Sequence, residues 1–156
     1  MKRIWMIGII LIGFILSGCG LIFGLEKSAL SGSKPPKVFI QIGDKQYETT
    51  LGTYCWKNKC VDTAGPVELL SGTEPIKVKP GEKISIMTDY QPEPNEIYLI
   101  EYSSVQERII ELKYKSFSAP MTQGIYHYSY SVWWKDLLKK NVSNGDASYA
   151  FVIEVE

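Results

Sequence analysis

The feature that most constrains this chain is an alternation of apolar and polar residues that begins near Val38 and continues to Val155. It runs through "KVFIQIG", "QYETTLGTYCW", "CVDTAG", "PIKVKPGEKISIMT", "EIYLIEYS", "RIIELKYKSF", "GIYHYSYSVWW" and "ASYAFVIEV". A period of two sends successive side chains to opposite faces of an extended strand, so each run has one face to bury. The runs are rich in β-branched and aromatic residues and end at Gly, Pro, Asn or Asp, which break a pleated ladder and favour turns. Ten Tyr, four Trp and five Phe supply a large apolar payload for such a core. These segments predict an all-β fold, an antiparallel sandwich of about 7–9 strands. Only "WWKDLLKK", residues 133–140, offers a helical turn, too short to alter the class.

The N-terminus has a different character. Lys2 and Arg3 precede the apolar run "IWMIGIILIGFI", followed by Leu16-Ser17-Gly18-Cys19. A short basic region, an apolar stretch and small residues at a cleavage point have the form of an export signal. The segment "LSGC" resembles the lipobox of bacterial lipoproteins: a bulky apolar residue, two small residues and a cysteine. Small side chains let a signal peptidase reach the bond before the cysteine, whose thiol must be free to accept diacylglycerol. The resemblance covers the first 19 residues and implies that residues 1–18 are a signal peptide. It also implies that Cys19 becomes the lipidated N-terminus of a protein held at the cell membrane. Residues 4–25 carry no charge, and "GLIFGL" extends the apolar run beyond Cys19. At about 1.5 Å per residue they reach about 33 Å, so an uncleaved transmembrane signal/anchor helix is the alternative. An ordinary secretory signal is the third. Either anchor keeps Lys2 and Arg3 inside and places the chain from Glu26 onward on the extracytoplasmic face.

Residues 19–37 include the small, polar, proline-containing stretch "EKSALSGSKPPK" and read as a tether, leaving 38–156 as one β-sandwich domain. Three segments of that domain resemble the immunoglobulin-like sandwich. "IKVKPGEKISI" resembles the proline-glycine turn before an early strand of many bacterial domains of that kind. "QGIYHYSYSV" resembles the strand that carries the tyrosine corner. Tyr126 stands two residues after Gly124, placed to hydrogen-bond back to the chain. "GDASYAFVIEV" resembles the terminal strand that pairs with it.

Cys55 and Cys60 bracket "WKNK". Redox motifs of the thioredoxin type place two residues between the cysteines at a helix N-terminus, which lowers one thiol pKa. Here four residues intervene, in a strand-turn-strand setting. A zinc or copper site needs further ligands, and His127 is the only histidine. A disulfide across a hairpin suits an exported chain with an even number of remaining cysteines. It would fix the turn as a rigid tip, with Trp56 beside it.

Other chemistry is thinly signalled. On "IYHYSYSVW", His127 shares a face with Ser129 and Ser131, while Tyr126, Tyr128, Tyr130 and Val132 share the other. That reads as a cross-strand or surface histidine, since no nucleophile elbow accompanies it. Asp89, Glu93 and Glu96 surround a loop and read as solvated acids rather than a glycosidase pair. "NVS" at 141–143 matches a eukaryotic glycosylation acceptor, which the lipobox argues against. No phosphate loop, dinucleotide fingerprint or calcium loop is present, and no cofactor is expected.

Equal numbers of basic and acidic residues, 17 each, provide no basic face for nucleic acid. Trp133 and Trp134 are adjacent and must face opposite sides of a strand. One is expected in the core. The other, with Leu137 and Leu138, is a candidate contact surface, as is Trp56. The expected function is a membrane-anchored, non-catalytic binding or accessory module of the cell envelope, contacting another envelope protein or a ligand such as a glycan. A carbohydrate or cell-wall binding module using Trp56 and Trp133 is the alternative, and an envelope hydrolase is the third.

Overall fold

A computed structural model describes residues 30–104 and 106–156. Among them are eleven strands: β1 (Phe39–Ile42), β2 (Lys45–Glu48), β3 (Thr50–Trp56), β4 (Lys59–Val61), β5 (Ile76–Val78), β6 (Lys83–Met87), β7 (Glu96–Tyr102), β8 (Glu107–Ile110), β9 (Ser116–Ser118), β10 (Gly124–Lys135) and β11 (Ser143–Val155). One short helix, α1 (Pro66–Leu69), lies between β4 and β5. A four-stranded sheet runs β2-β1-β6-β9. A seven-stranded sheet runs β4-β3-β11-β10-β7-β8, with β5 added alongside β11. All pairings are antiparallel except β5 with β11, which is parallel.

The all-β expectation holds, and the strand count exceeds it because two apparently continuous runs each serve both sheets. "QYETTLGTYCW" divides at Thr49 into β2 in the smaller sheet and β3 in the larger. Thr49 is buried at this corner, and both its backbone N (3.0 Å) and its Oγ1 (2.7 Å) donate to the Val38 carbonyl. "RIIELKYKSF" divides likewise into β8 and β9 at a turn where Tyr114 and Lys115 have positive φ, 52° and 58°. A strand that bends from one sheet to the other keeps its alternation, so the pattern alone does not reveal the corner.

The core lies between the two sheets. Ile40 and Ile42 of β1, Ile84 and Ile86 of β6 and Phe117 of β9 face Leu99, Tyr128, Tyr130, Tyr149, Phe151 and Ile153 from the larger sheet. Tyr128 stacks on Phe151, its register partner, with centroids 4.9 Å apart and planes 11° apart. β11 is buried on both faces: Ala150 and Val152 point away from the main core and are covered by Leu70 and Leu69 at α1. This explains why "AFVIEV" is almost continuously apolar, since a strand covered on both sides has no solvent face to mark.

Two expectations need correcting. Residues 133–140 contain no helix: Trp133, Trp134 and Lys135 extend β10, and the rest form the turn into β11. Cross-strand pairing with β7 and β11 outweighs the weak local preference there. The helix lies instead at Pro66–Leu69, where Pro66 occupies its first turn, a position that needs no backbone N–H. Residues 30–37 are packed on the domain rather than spaced away from it. Leu30 and Pro35 are buried, Ser31 N donates to Tyr90 Oη at 2.7 Å, and Tyr149 Oη donates to the Pro36 carbonyl at 2.7 Å. The proline-rich composition that reads as a tether here supplies an extended backbone whose carbonyls accept bonds from core tyrosines.

The signal or anchor segment and Cys19 lie outside the described residues. Among those described, no helix is long and apolar enough to cross a membrane.

Candidate functional site

Two regions concentrate the chemistry of the domain: a buried carboxylate near one sheet edge, and the sandwich end where the N-terminal chain joins.

Glu101 is 2% exposed, on the inner face of β7 in phase with Ile97 and Leu99. Its register neighbours are Tyr128 of β10 and Arg108 of β8, so the three side chains form one row across three strands. Arg108 Nε donates to Oε1 at 2.6 Å and Nη2 to Oε2 at 3.2 Å. Tyr128 Oη donates to Oε2 at 2.6 Å. Burial, and then the bond to Glu101, push the Tyr128 phenol far above its ordinary range. The bond to Glu101 raises Arg108 as well. Both carboxylate oxygens are therefore occupied by donors whose protons are held firmly, and the arrangement binds three strands together rather than presenting an acid or base to solvent. Glu101 is not singled out by any motif in the sequence. The available signal was its phase: a carboxylate at the third position of the inward series 97, 99, 101 must be paired to be buried.

At the joining end, Cys55 and Cys60 are register partners in the β3–β4 hairpin, with Cα atoms 4.1 Å apart and Sγ atoms at the bonding distance of 1.99 Å. The disulfide lies toward solvent, because alternation along β3 turns Tyr54 and Trp56 inward and Cys55 outward. Trp56 is therefore no contact surface. It is 1% exposed, packed edge-on against Trp134 (5.0 Å) and Tyr90 (5.6 Å). Its Nε1 donates to the Ser31 and Gly32 carbonyls, each at 3.3 Å. Trp134 is buried too, and its Nε1 donates to the Pro92 carbonyl at 2.6 Å. Gly145 of β11, the register partner of Trp56, leaves room for Leu30: a Cβ there would lie 2.5 Å from Leu30 Cδ1.

The remaining candidates do reach the surface. Trp133 faces outward, half-buried, edge-on to Tyr98 at 5.7 Å. Leu137 and Leu138 are 88% and 79% exposed in the β10–β11 turn, separated from Trp133 by the strand end. Sequence reasoning missed Ile109 of β8, 70% exposed, which with Tyr98 and Leu112 lines an open groove of about 500 Å³ along the sheet edge.

His127 is on the outer face of β10 opposite Val152, with Glu68 of α1 nearby. Burial lowers its pKa, and the carboxylate of Glu68 opposes that shift. Ser129 and Ser131 lie within 3.4 Å of each other through their hydroxyls, on the same face. Glu93 is paired with Lys115 at 2.7 Å and Glu96 with Lys135, so these loop acids serve as ion-pair partners.

Comparison with protein-family models, with curated proteins and with solved structures returned no match.

Proposed function

We propose that the chain is a bacterial lipoprotein whose domain serves as a non-catalytic binding module on the extracytoplasmic face of the cell membrane, anchored through Cys19. The lipobox "LSGC" and the Cys55–Cys60 bond point to the same compartment, since such bonds persist where the surroundings are oxidising. The observation that carries the binding role is the apolar sheet edge at β8. Ile109 is 70% and Tyr98 43% exposed beside the groove, and among the described residues β8 pairs with β7 alone. An exposed apolar patch at an open strand edge suits a protein contact through side chains and backbone together.

The domain is proposed to be immunoglobulin-like. Several features support this: β8-β7-β10-β11 facing β6-β9, the short β5 running parallel beside β11, and the Tyr126 Oη donating to the Thr122 carbonyl at 2.9 Å. That last bond fixes the entrance to β10 as a tyrosine corner does. A protein partner is favoured over a glycan because Tyr98 and Trp133 stand 81° apart, which presents no flat two-ring platform for a sugar.

The test has two parts. Cys19→Ala should abolish incorporation of labelled palmitate and leave an unprocessed precursor; unchanged processing and labelling would overturn the lipoprotein. A photoreactive residue replacing Ile109 in intact cells should give a discrete protein adduct not given by one replacing Met121. Equal yields, or retention of the protein by purified wall glycans with no such adduct, would overturn the protein-binding role.

A further inference from the structure

The β10–β11 turn combines features that the binding edge does not. Its backbone is ordered by its own residues. Asp136 N donates to the Val142 carbonyl at 2.8 Å, and Asp136 Oδ1 accepts from Leu138 N at 2.9 Å and Lys139 N at 3.2 Å. At the base of the turn, Asn95 Nδ2 donates to the Lys135 carbonyl at 2.9 Å and Lys135 N donates back to Asn95 Oδ1 at 2.8 Å. Leu137 and Leu138 thus project from a fixed frame, 88% and 79% exposed, with Val142 at 39% and both Lys139 and Lys140 in solvent.

Two solvent-exposed leucines on a rigid turn need an occupant, and the chain's own course supplies one. β10 runs toward this end, where Trp134 meets Trp56, and β11 leaves it through Gly145, against which Leu30 packs. The N-terminal chain therefore joins the domain at the end that carries the turn. Only residues 26–29 separate Leu30 from the apolar stretch 4–25, and five backbone steps span at most about 18 Å. From Cys19 the reach is about 40 Å. Lys57, exposed in the β3–β4 turn, and Lys59, exposed at the start of β4, add positive charge to the same end. Of the acids at this end, Asp136 holds the turn together, Glu93 is engaged by Lys115, Glu96 by Lys135, and Asp146 accepts from Cys55 N, while Asp89 lies in the neighbouring loop.

We propose that the β10–β11 turn is a membrane-contact element. Leu137 and Leu138 enter the headgroup–acyl boundary of the bilayer that holds the N-terminus, while Lys139 and Lys140 meet the phosphates of anionic lipids. The inference rests on the anchored reading above and adds an orientation: this end faces the bilayer, and Met121, near the opposite end beside Gly81, faces away. Each fully buried leucine strengthens such a contact about tenfold or more, and each lysine near an anionic surface about fivefold. Because the N-terminus already confines the domain to the membrane, these contacts fix its orientation rather than its attachment.

The experiment uses the full-length chain with its N-terminal segment, reconstituted into vesicles of phosphatidylcholine and phosphatidylglycerol. Leu138 in one sample and Met121 in another is replaced by p-benzoylphenylalanine. Flotation reports attachment, and mass spectrometry after illumination reports lipid adducts. The expected result is flotation of both samples, with lipid adducts concentrated at position 138. The adduct yield should fall several-fold with Lys139→Gln and Lys140→Gln together, or in vesicles of phosphatidylcholine alone. Flotation with equal adduct yields at 138 and 121 overturns the membrane-contact element and leaves the anchor standing. Failure to float overturns the anchored reading and this inference with it.

Discussion

The Arg108 guanidinium grips both oxygens of the Glu101 carboxylate from the adjacent strand, at 2.6 and 3.2 Å, while its own side chain remains 47% exposed. The geometry makes Glu101 depend on Arg108, because a buried carboxylate deprived of a partner keeps its desolvation cost and loses the compensation. Removing one partner of a fully buried pair costs about 3–5 kcal/mol. With Arg108 half in water, Arg108→Ala should cost less, about 2–3 kcal/mol in urea unfolding. Replacing the whole row by Glu101→Leu, Arg108→Leu and Tyr128→Phe should recover most of that loss, since no polar group is then left unpaired. If Arg108→Ala is neutral, the Arg108 bonds to Glu101 contribute nothing to stability.

Gly145→Ala tests the docking of the N-terminal segment. The new Cβ would lie 2.5 Å from Leu30 Cδ1 and 2.9 Å from Trp56 Cε3, so Leu30 must leave and the indole must shift. Overpacking of this kind costs about 1–3 kcal/mol. Residues 30–37 should become sensitive to limited proteolysis while the sheets stay folded. Adding Leu30→Ala should restore part of the stability, because one of the two clashes is removed. A Gly145→Ala protein as stable and as protease-resistant as the parent would show that Leu30 does not occupy this position in solution.

Alternation marks the strands and places Tyr126, Tyr128, Tyr130 and Val132 on one face, which β10 turns toward the core, because a half-buried sheet writes its period into the sequence. It did not reveal the corners at Thr49 and at Tyr114–Lys115, since a bend between sheets preserves the period. The site was less legible. Trp56 stands beside the stapled turn and reads as a candidate contact surface, yet its own phase with Tyr54 places it inside. Leu137 and Leu138 stand out in the sequence beside the Trp133-Trp134 pair, whereas Ile109 lies on an edge that only the strand order defines. Local pattern reports which way a side chain points; which strand is outermost is a property of the whole pairing.

His127 gives the domain a pH dependence on the acid side. Burial lowers its pKa from the ordinary 6.5, with Glu68 opposing the shift. The unfolded chain then takes up this proton more readily than the folded one, so stability rises with pH. Acidification from pH 7.5 should begin to weaken the fold near the unfolded value of about 6.5 and continue to the lower folded value. His127→Gln should flatten the dependence between pH 7 and 5.5 relative to the parent in urea unfolding. An unchanged slope would mean that other groups carry it.

Tyr126→Phe probes the bond from Oη to the Thr122 carbonyl, 2.9 Å long and spanning four residues. A single hydrogen bond of this kind contributes about 1 kcal/mol. The loss should appear as a lower urea midpoint with an unchanged slope, since the surface exposed on unfolding is the same. Amide exchange should accelerate at the start of β10 and leave its middle protected by the pairings to β7 and β11.

The Cys55–Cys60 bond closes a loop of six residues, and in the chain-entropy model its removal costs about 2 kcal/mol. The cysteines are opposed in the hairpin and face outward, so Cys55→Ala with Cys60→Ala leaves no cavity in the core. Trp56 remains held by Trp134 and Tyr90 on its inner side and by β11 through Gly145. The double variant should therefore lose about 2 kcal/mol in urea unfolding and keep the parent's tryptophan emission maximum. A red-shifted maximum in the folded variant would mean that the bond positions Trp56 in the core. Reduction of the parent by dithiothreitol should reproduce the loss of stability, because both treatments open the same six-residue loop.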